Sequence, residues 1–282
     1  MLAAFLLSFS TFEHFIYLSA EFTEQYMEDR RCGWAKNDVL KVYAMRNYGY
    51  VFHLPWMPFN LPVLLYLRFI HYSITLAWTY QDVTIVIMSS YLTMRFGQLF
   101  ARVEAARTLR LPSSFWQEIR EHHVILCELL NRTNHMISPL LLSSCFNNVA
   151  LISYFALHSL KTQHFVISYV YFWCCVGFLV GRTSLVLLTA GEVHRTMERA
   201  VLTLHRTPSE GWCSELERYD VQLRSEESTL GGLKMFEVTR RTAFTIASLI
   251  FTLELIVIKF SRQAGANTGV PANCSQLAFS QD

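Results

Sequence analysis

Charge is scarce in this chain. Only 16% of its 282 residues are Asp, Glu, Lys or Arg, against about 25% in soluble proteins. So few charges could not cover a globule of this size with polar surface, which excludes an ordinary soluble domain. A basic excess is also missing. The 24 Lys and Arg stand against 22 Asp and Glu, so nucleic acid, which calls for a concentrated basic surface, is not an expected partner. Catalytic signatures are lacking as well. No GxSxG, P-loop, GxGxxG or HExxH pattern occurs, so neither an enzyme nor a cofactor is expected. The seven cysteines form no CxxC pair, and their odd number does not suggest a complete disulfide framework or a metal set. The first 18 residues lack the basic start and small-residue cleavage site of a signal peptide, and Glu13 and His14 interrupt their apolar run.

Apolar residues are abundant, at 52%, and Phe alone occurs 21 times. That excludes disorder. Residues 133–160 and 162–181 contain no charged side chain, 47–94 carry only Arg68 and Asp82, 242–260 only Glu254 and Lys259, and 1–20 only Glu13. A helix needs about 20 mostly apolar residues to cross a bilayer. The runs therefore predict an all-α polytopic membrane protein of about five transmembrane helices, with spans near 1–20, 61–93, 136–159, 164–188 and 238–260. The stretch 61–91 is long enough for a helix that continues past the bilayer, or for a broken one.

The arginines orient the spans. Residues 95–132 carry six basic side chains and 192–235 another six, whereas the tail after Phe260 has only Arg262. Cytoplasmic segments are thus expected at 95–135 and 191–235, with the C-terminus outside. The loop 21–46 is less tidy, with five basic residues. The sequon at Asn273 then lies outside, where it can be glycosylated. Cys32 and Cys274 share that side, which leaves a disulfide between them open. Glu121-His122-His123 reads as a solvent-facing stretch of cytoplasmic helix, since adjacent residues point about 100° apart and cannot share a metal.

Polar groups within the spans are costly and become candidate sites. Glu13 and His14 lie in the first. Trp78, Tyr80, Gln81 and Asp82 interrupt the second with aromatic, amide and carboxylate groups, a mixture that suits a sugar. Equally, Asp82 can join a hydrogen-bond network between helices. Arg68 can share that network or snorkel to the interface. In the last span Thr252, Leu255, Ile256 and Lys259 share a helix face. That face reads either as pore lining or as a Lys snorkelling beside a packed Glu254.

At these residues a family resemblance becomes specific. Thr207 with Pro208-Ser209-Glu210-Gly211-Trp212-Cys213, followed by Glu215, Arg218 and Val221, resembles the cytoplasmic signature of insect gustatory receptors of the sugar branch. Gly232, Phe236, Thr239 and Arg240 resemble the entry to that family's last helix. The stretch from Thr252 through Glu254 to Lys259-Phe260 resembles its terminal TYxxxxxQF-type motif. The resemblance covers essentially the whole chain. It implies the seven-helix insect chemoreceptor fold, a multi-pass protein of the plasma membrane amid lipid, and a sugar-gated cation channel built as a homo- or hetero-tetramer with other gustatory receptor subunits. Asp82 and Trp78 become pocket candidates, with Glu13, His14, Tyr80 and Gln81 beside them. Thr252, Leu255, Ile256, Ile258, Lys259 and Phe260 become pore candidates.

Two departures from the pattern matter. Lys259 stands where the family usually has Gln, and four ammonium groups around a cation pore would repel permeant ions. A non-conducting partner subunit is therefore an alternative. The chain also begins where the family's third span should start, so two helices and the cytoplasmic N-terminus are expected to be missing and sugar responses to be poor. A transporter is the alternative from another class, but it would call for paired acidic or proton-relay residues on facing helices, and few are present.

Overall fold

The computed structural model describes residues 2–31, 39–52, 59–109, 111–159, 166–225, 229–232 and 236–239. Within 241–259 it describes Arg241, Thr242, Phe244, Thr245, Ser248, Thr252, Ile256 and Lys259, all helical. Six α-helices carry the described chain: α1 (Leu2–Arg31), α2 (Val39–Phe52), α3 (Leu61–Ala106), α4 (Ser113–Ser159), α5 (Val166–Leu204) and α6 (Ser214–Ser225). A 3-10 turn at Ser209–Gly211 precedes α6, and the short strands β1 (Gly231–Gly232) and β2 (Phe236–Glu237) pair antiparallel after it.

Among the described residues, four helices are long and apolar enough to cross a membrane, within Leu2–Met27, Leu61–Ala106, Ser113–Phe155 and Tyr169–Leu204. Their apolar side chains face outward. Only 6% of the most apolar window of α3 is buried, and Leu65, Tyr66 and Phe69 are each 60% exposed or more. Such a surface is stable only where the solvent is hydrocarbon. At 1.5 Å per residue, the 46 residues of α3 extend about 69 Å, more than twice the ~30 Å hydrocarbon core. Of the two alternatives for 61–91, the continuous helix that runs past the bilayer is the one formed. α4 also stays continuous, through Pro139, although proline there withholds an N–H from the helical ladder.

The chain divides into two compact units. One comprises Met1–Thr79, Ile152–Phe178 and Phe251–Asp282, the other Tyr80–Leu151 and Leu179–Ile250. The second holds the larger core. Phe96, Leu99, Phe100, Val103 and Ala106 of α3 recur at helical spacing, as do Trp116, Ile119, Cys127 and Leu130 of α4 and Val193, Met197, Ala200 and Leu204 of α5. Each set forms one apolar stripe on a helix whose other faces are charged. His123 falls in the α4 stripe. It is fully buried, with its ring 5.3 Å from that of Tyr219 and 6.1 Å from Phe96. The expectation of a solvent-facing pair thus holds for the exposed His122 and is corrected for His123. The ~100° between neighbours turns one of them into the core.

The segment 207–213 is a structural corner. Gly211 N–H donates to Pro208 O (3.0 Å) and Trp212 N–H to Ser209 O (3.2 Å), closing the turn between α5 and α6. Cys213 O then accepts from Glu217 N–H (3.1 Å) as α6 begins. Glu215, in its first turn, receives Arg120 of α4 at 3.3 Å and Arg218 at 2.6 Å. Downstream, Gly231 N–H donates to Asn134 Oδ1 (3.0 Å), which ties the hairpin to α4. Thr239 Oγ1 meets Thr242 Oγ1 at 3.0 Å.

Candidate functional site

In the first unit the polar positions of α1 form a stripe. Ser10, His14, Tyr17, Glu21 and Gln25 recur every three or four residues on one face of an apolar helix. Their partners come from three other helices. Ser10 Oγ meets Thr79 Oγ1 at 2.9 Å. Glu21 accepts from Tyr17 OH (3.0 Å), Tyr43 OH of α2 (2.7 Å) and the Arg68 guanidinium of α3 (2.9 Å). That guanidinium lies over the rings of Tyr43 and Tyr48, 4.9 and 5.0 Å from their centroids. Asn47 Nδ2 donates to Gln25 Oε1 at 3.0 Å. Arg68 thus pairs with Glu21.

His14 sits one turn along this stripe, 5% exposed. Its ring centroid is 5.1 Å from Tyr72, 5.5 Å from His71 and 6.0 Å from Tyr17. Tyr171 of α5 approaches Tyr17 at 5.6 Å, and Cys175 Sγ donates to Glu13 Oε1 at 2.8 Å. His14 Nε2 and Gln25 Nε2 are two of several buried polar atoms of the described residues with no hydrogen-bond partner. Buried polar atoms are almost always satisfied. His14 Nε2 lies among the rings of Tyr17, His71 and Tyr72, whereas Gln25 stands about three turns further along α1, beside Asn47.

The second unit holds a different constellation. Asp82 of α3 and Arg182 of α5 pair at 2.8 Å, with side chains 3% and 6% exposed. Ser144 Oγ donates to Asp82 Oδ1. Asn148 Nδ2, one turn further along α4, donates to Asp82 Oδ2 at 3.4 Å, and its Oδ1 accepts from Arg182 at 3.0 Å. Three helices thus close around one carboxylate, with a cation to neutralise it and hydrogen bonds to both oxygens. This geometry supports the reading of Asp82 as part of an interhelical network.

The other sequence candidates are dispersed. Gln81 Nε2 donates to the Leu140 carbonyl at 2.5 Å. Trp78 and Tyr80 are 38% and 64% exposed. Thr252, Ile256 and Lys259 are exposed. Leu255, Ile258, Phe260, Arg240, Glu254 and Asn273 lie outside the described residues, as do Cys32 and Cys274. Sequence reading missed Arg182, Ser144, Asn148, Tyr17, Glu21 and His71. Two signals pointed to them: the polar stripe on α1, and Arg182 directly after the charge-free run 162–181.

Long outward-apolar helices with polar clusters between them define an all-α polytopic membrane protein. Its fold is that of the insect olfactory receptors. It matches olfactory receptor OR5 of Machilis hrabei in complex with eugenol with a TM-score of 0.60, over 91% of this chain and 68% of that one, at 13% identity. The OR5 structure without ligand gives 0.59. The family model described as "Trehalose receptor" matches residues 1–269. The chain belongs to that family, the insect sugar gustatory receptors. It is 34% identical over 218 residues, 77% of the chain, to the Drosophila melanogaster gustatory receptor for sugar taste 64a. It is 35% identical over 74% of the chain to the receptor for sugar taste 61a, and 27% identical over 66% to gustatory receptor 5a for trehalose, both from the same fly. The chain spans about half the length of these relatives: 47%, 48% and 42% of them, respectively.

Proposed function

We propose that this chain is a sugar-sensing subunit of a ligand-gated cation channel of the plasma membrane, assembled as a homo- or hetero-tetramer with other gustatory receptor subunits. The sugar is held by the polar stripe of α1, with Glu13, His14 and Tyr17 contacting it and His71 and Tyr72 flanking it. One observation carries the reading: the unpartnered His14 Nε2, buried among three aromatic neighbours and next to a carboxylate. A hydroxyl supplies the missing partner, and the ring faces take up sugar C–H surface. The relatives' descriptions, which name sugar taste and trehalose, point to the same ligand class. The segments 95–135 and 191–235 are cytoplasmic and the C-terminus lies outside, as the arginine distribution indicates. Trp78, Tyr80, Gln81 and Asp82 act outside this stripe.

Whole-cell recording from cells that express the chain tests the proposal. A hydrogen bond to an otherwise orphaned group is worth about 1.5 kcal/mol, and its loss costs about tenfold in affinity. His14→Ala should therefore raise the half-maximal sugar concentration about tenfold, and Glu13→Gln should raise it by a similar factor. Unchanged dose–response curves for both variants at wild-type surface level would sink the assignment.

A second reading, a partner subunit that does not conduct alone, is favoured by Lys259. The side chain is exposed, and four copies around a pore would place four positive charges against a cation. Expressed without other subunits, Lys259→Gln is expected to raise sugar-evoked current several-fold over the wild-type chain. Equal currents would mean that Lys259 does not face the conduction path.

A further inference from the structure

Beyond the span 61–93, α3 and α4 leave a cleft of about 290 Å³ between them. Arg95, Gln98, Leu99 and Arg102 line it from α3, and His122, Ile125 and Leu126 from α4. On α3 these positions follow the spacing i, i+3, i+4, i+7, so one helix face carries them all. Two guanidinium groups therefore stand along the cleft, their Cα atoms about 10.5 Å apart in axial rise. Apolar side chains fill the wall between them. Ile125 is 62% exposed, and the neighbouring Leu129 extends the apolar surface outward.

Arg95 is exposed and differs from the paired arginines. Arg68, Arg102, Arg107, Arg120, Arg132 and Arg182 each reach a carboxylate. Among the described residues Arg95 reaches none. Its Nε donates to Tyr91 OH at 2.9 Å, and its guanidinium stacks over the Tyr91 ring at 5.1 Å. Gln98 Oε1 is a further acceptor at 3.5 Å. Tyr91 thus aims the cation without neutralising it. At the other end of the cleft, Arg102 approaches Glu118 at 3.1 Å and His122 Nδ1 at 3.4 Å. Glu118 offsets one charge there but does not line the cleft.

Position identifies the occupant. Arg95 is the first charged residue after the apolar run that ends at Met94, so a span that ends near residue 93 would bring it to the level of the phospholipid phosphates. Arginine recognises phosphate through a planar fork of donors. Arg95 is held on Tyr91, one turn before it on α3, and Arg102 on Glu118 of α4, so the two guanidinium groups are anchored separately, an arrangement that suits a headgroup with phosphates at two positions. We propose that this cleft binds an anionic phospholipid with a multiply phosphorylated headgroup. Its glycerol-linked phosphate rests on Arg95, its distal phosphates on Arg102 and His122, and its carbon skeleton on Leu99, Ile125 and Leu126. The proposal is independent of the sugar site.

The test uses the purified full chain and measures its affinity for dioctanoyl phosphatidylinositol 4,5-bisphosphate, with dioctanoyl phosphatidylcholine as the neutral probe. The expected result is that Arg95→Gln with Arg102→Gln weakens the anionic lipid tenfold or more and leaves the neutral one unchanged. Arg132→Gln, an exposed pair elsewhere on α4, should change neither. Ile125→Glu, at an exposed position that folding does not depend on, should reproduce the loss, so a misfolded double variant cannot decide the matter. Wild-type affinity in both cleft variants would overturn the proposal, as would equal loss in Arg132→Gln, which would indicate general surface charge. Equal affinity for free inositol trisphosphate would overturn the lipid assignment in favour of a soluble phosphate. A change in oligomeric size with lipid affinity intact would make the cleft a contact between subunits instead.

Discussion

Arg182→Ala is expected to remove most of the protein from the cell surface. The guanidinium and the Asp82 carboxylate are almost fully enclosed, at 6% and 3% exposure, on helices that cross a bilayer. Removing one partner leaves the other charged where no water can reach it. That costs about 3–5 kcal/mol, comparable with the whole stability of a typical domain, about 5–15 kcal/mol. Ser144 and Asn148 would still donate to the carboxylate, but neutral donors do not replace a cation. Asp82→Ala should be nearly as damaging, because it strands Arg182 instead. The informative variant is the pair Asp82→Leu with Arg182→Met. Replacing both charges with apolar groups removes the desolvation cost along with the attraction, and such exchanges are often neutral. Surface biotinylation should therefore show a loss in each single variant and recovery in the double. Wild-type surface levels in Arg182→Ala would refute a structural role for the pair. A double variant as poor as the singles would locate the role of Arg182 in some other contact.

The membrane architecture was readable because hydrocarbon imposes a length and a composition on any segment that crosses it. The uncharged run 133–160 falls in the C-terminal half of α4 and the run 162–181 in the N-terminal half of α5, while the charged remainder of each helix extends well beyond the run. Helix α2 was not read. Its 14 residues, Val39–Phe52, are too short for a span, and they overlap a stretch that basic residues mark as a loop. The non-helical backbone at Tyr48 (φ −128°, ψ 28°) interrupts it further. The Asp82 network was half legible. Its carboxylate stood out as a rare charge, but its partner lies 100 residues away, and a single sequence does not say which buried cation meets which anion. The phase of α4 was available and went unused for histidine. Trp116, Ile119, Cys127 and Leu130 define a stripe that includes position 123 and excludes 122. On α1 the alternative reading, Glu13 and His14 as interruptions of an apolar run, obscured the regular spacing of Ser10, His14, Tyr17, Glu21 and Gln25.

Arg68 should separate the architecture of the α1 stripe from its use. Its guanidinium binds Glu21 at 2.9 Å, with side chains 13% and 21% exposed, and it lies over two tyrosine rings. Arg68→Ala removes a charged hydrogen bond worth about 1.5–3 kcal/mol and cation–π contacts worth about 0.5–2 kcal/mol. It leaves Glu21 with only the Tyr17 and Tyr43 hydroxyls. Both surface level and sugar sensitivity should fall, the latter by more than tenfold, because Tyr17 is held by Glu21 and stands beside His14. Arg68→Lys keeps the charge but loses the planar fork and the stacking. It is expected to reach the surface at near wild-type level while still shifting the half-maximal sugar concentration several-fold. Glu21→Gln should produce a similar shift. Combined with Arg68→Lys it should add little further, since both changes disrupt one interaction. Fully additive shifts in the double variant would show that Glu21 and Arg68 act separately. An unchanged dose–response curve in Arg68→Lys, at normal surface level, would show that the orientation of Tyr17 does not govern sugar binding.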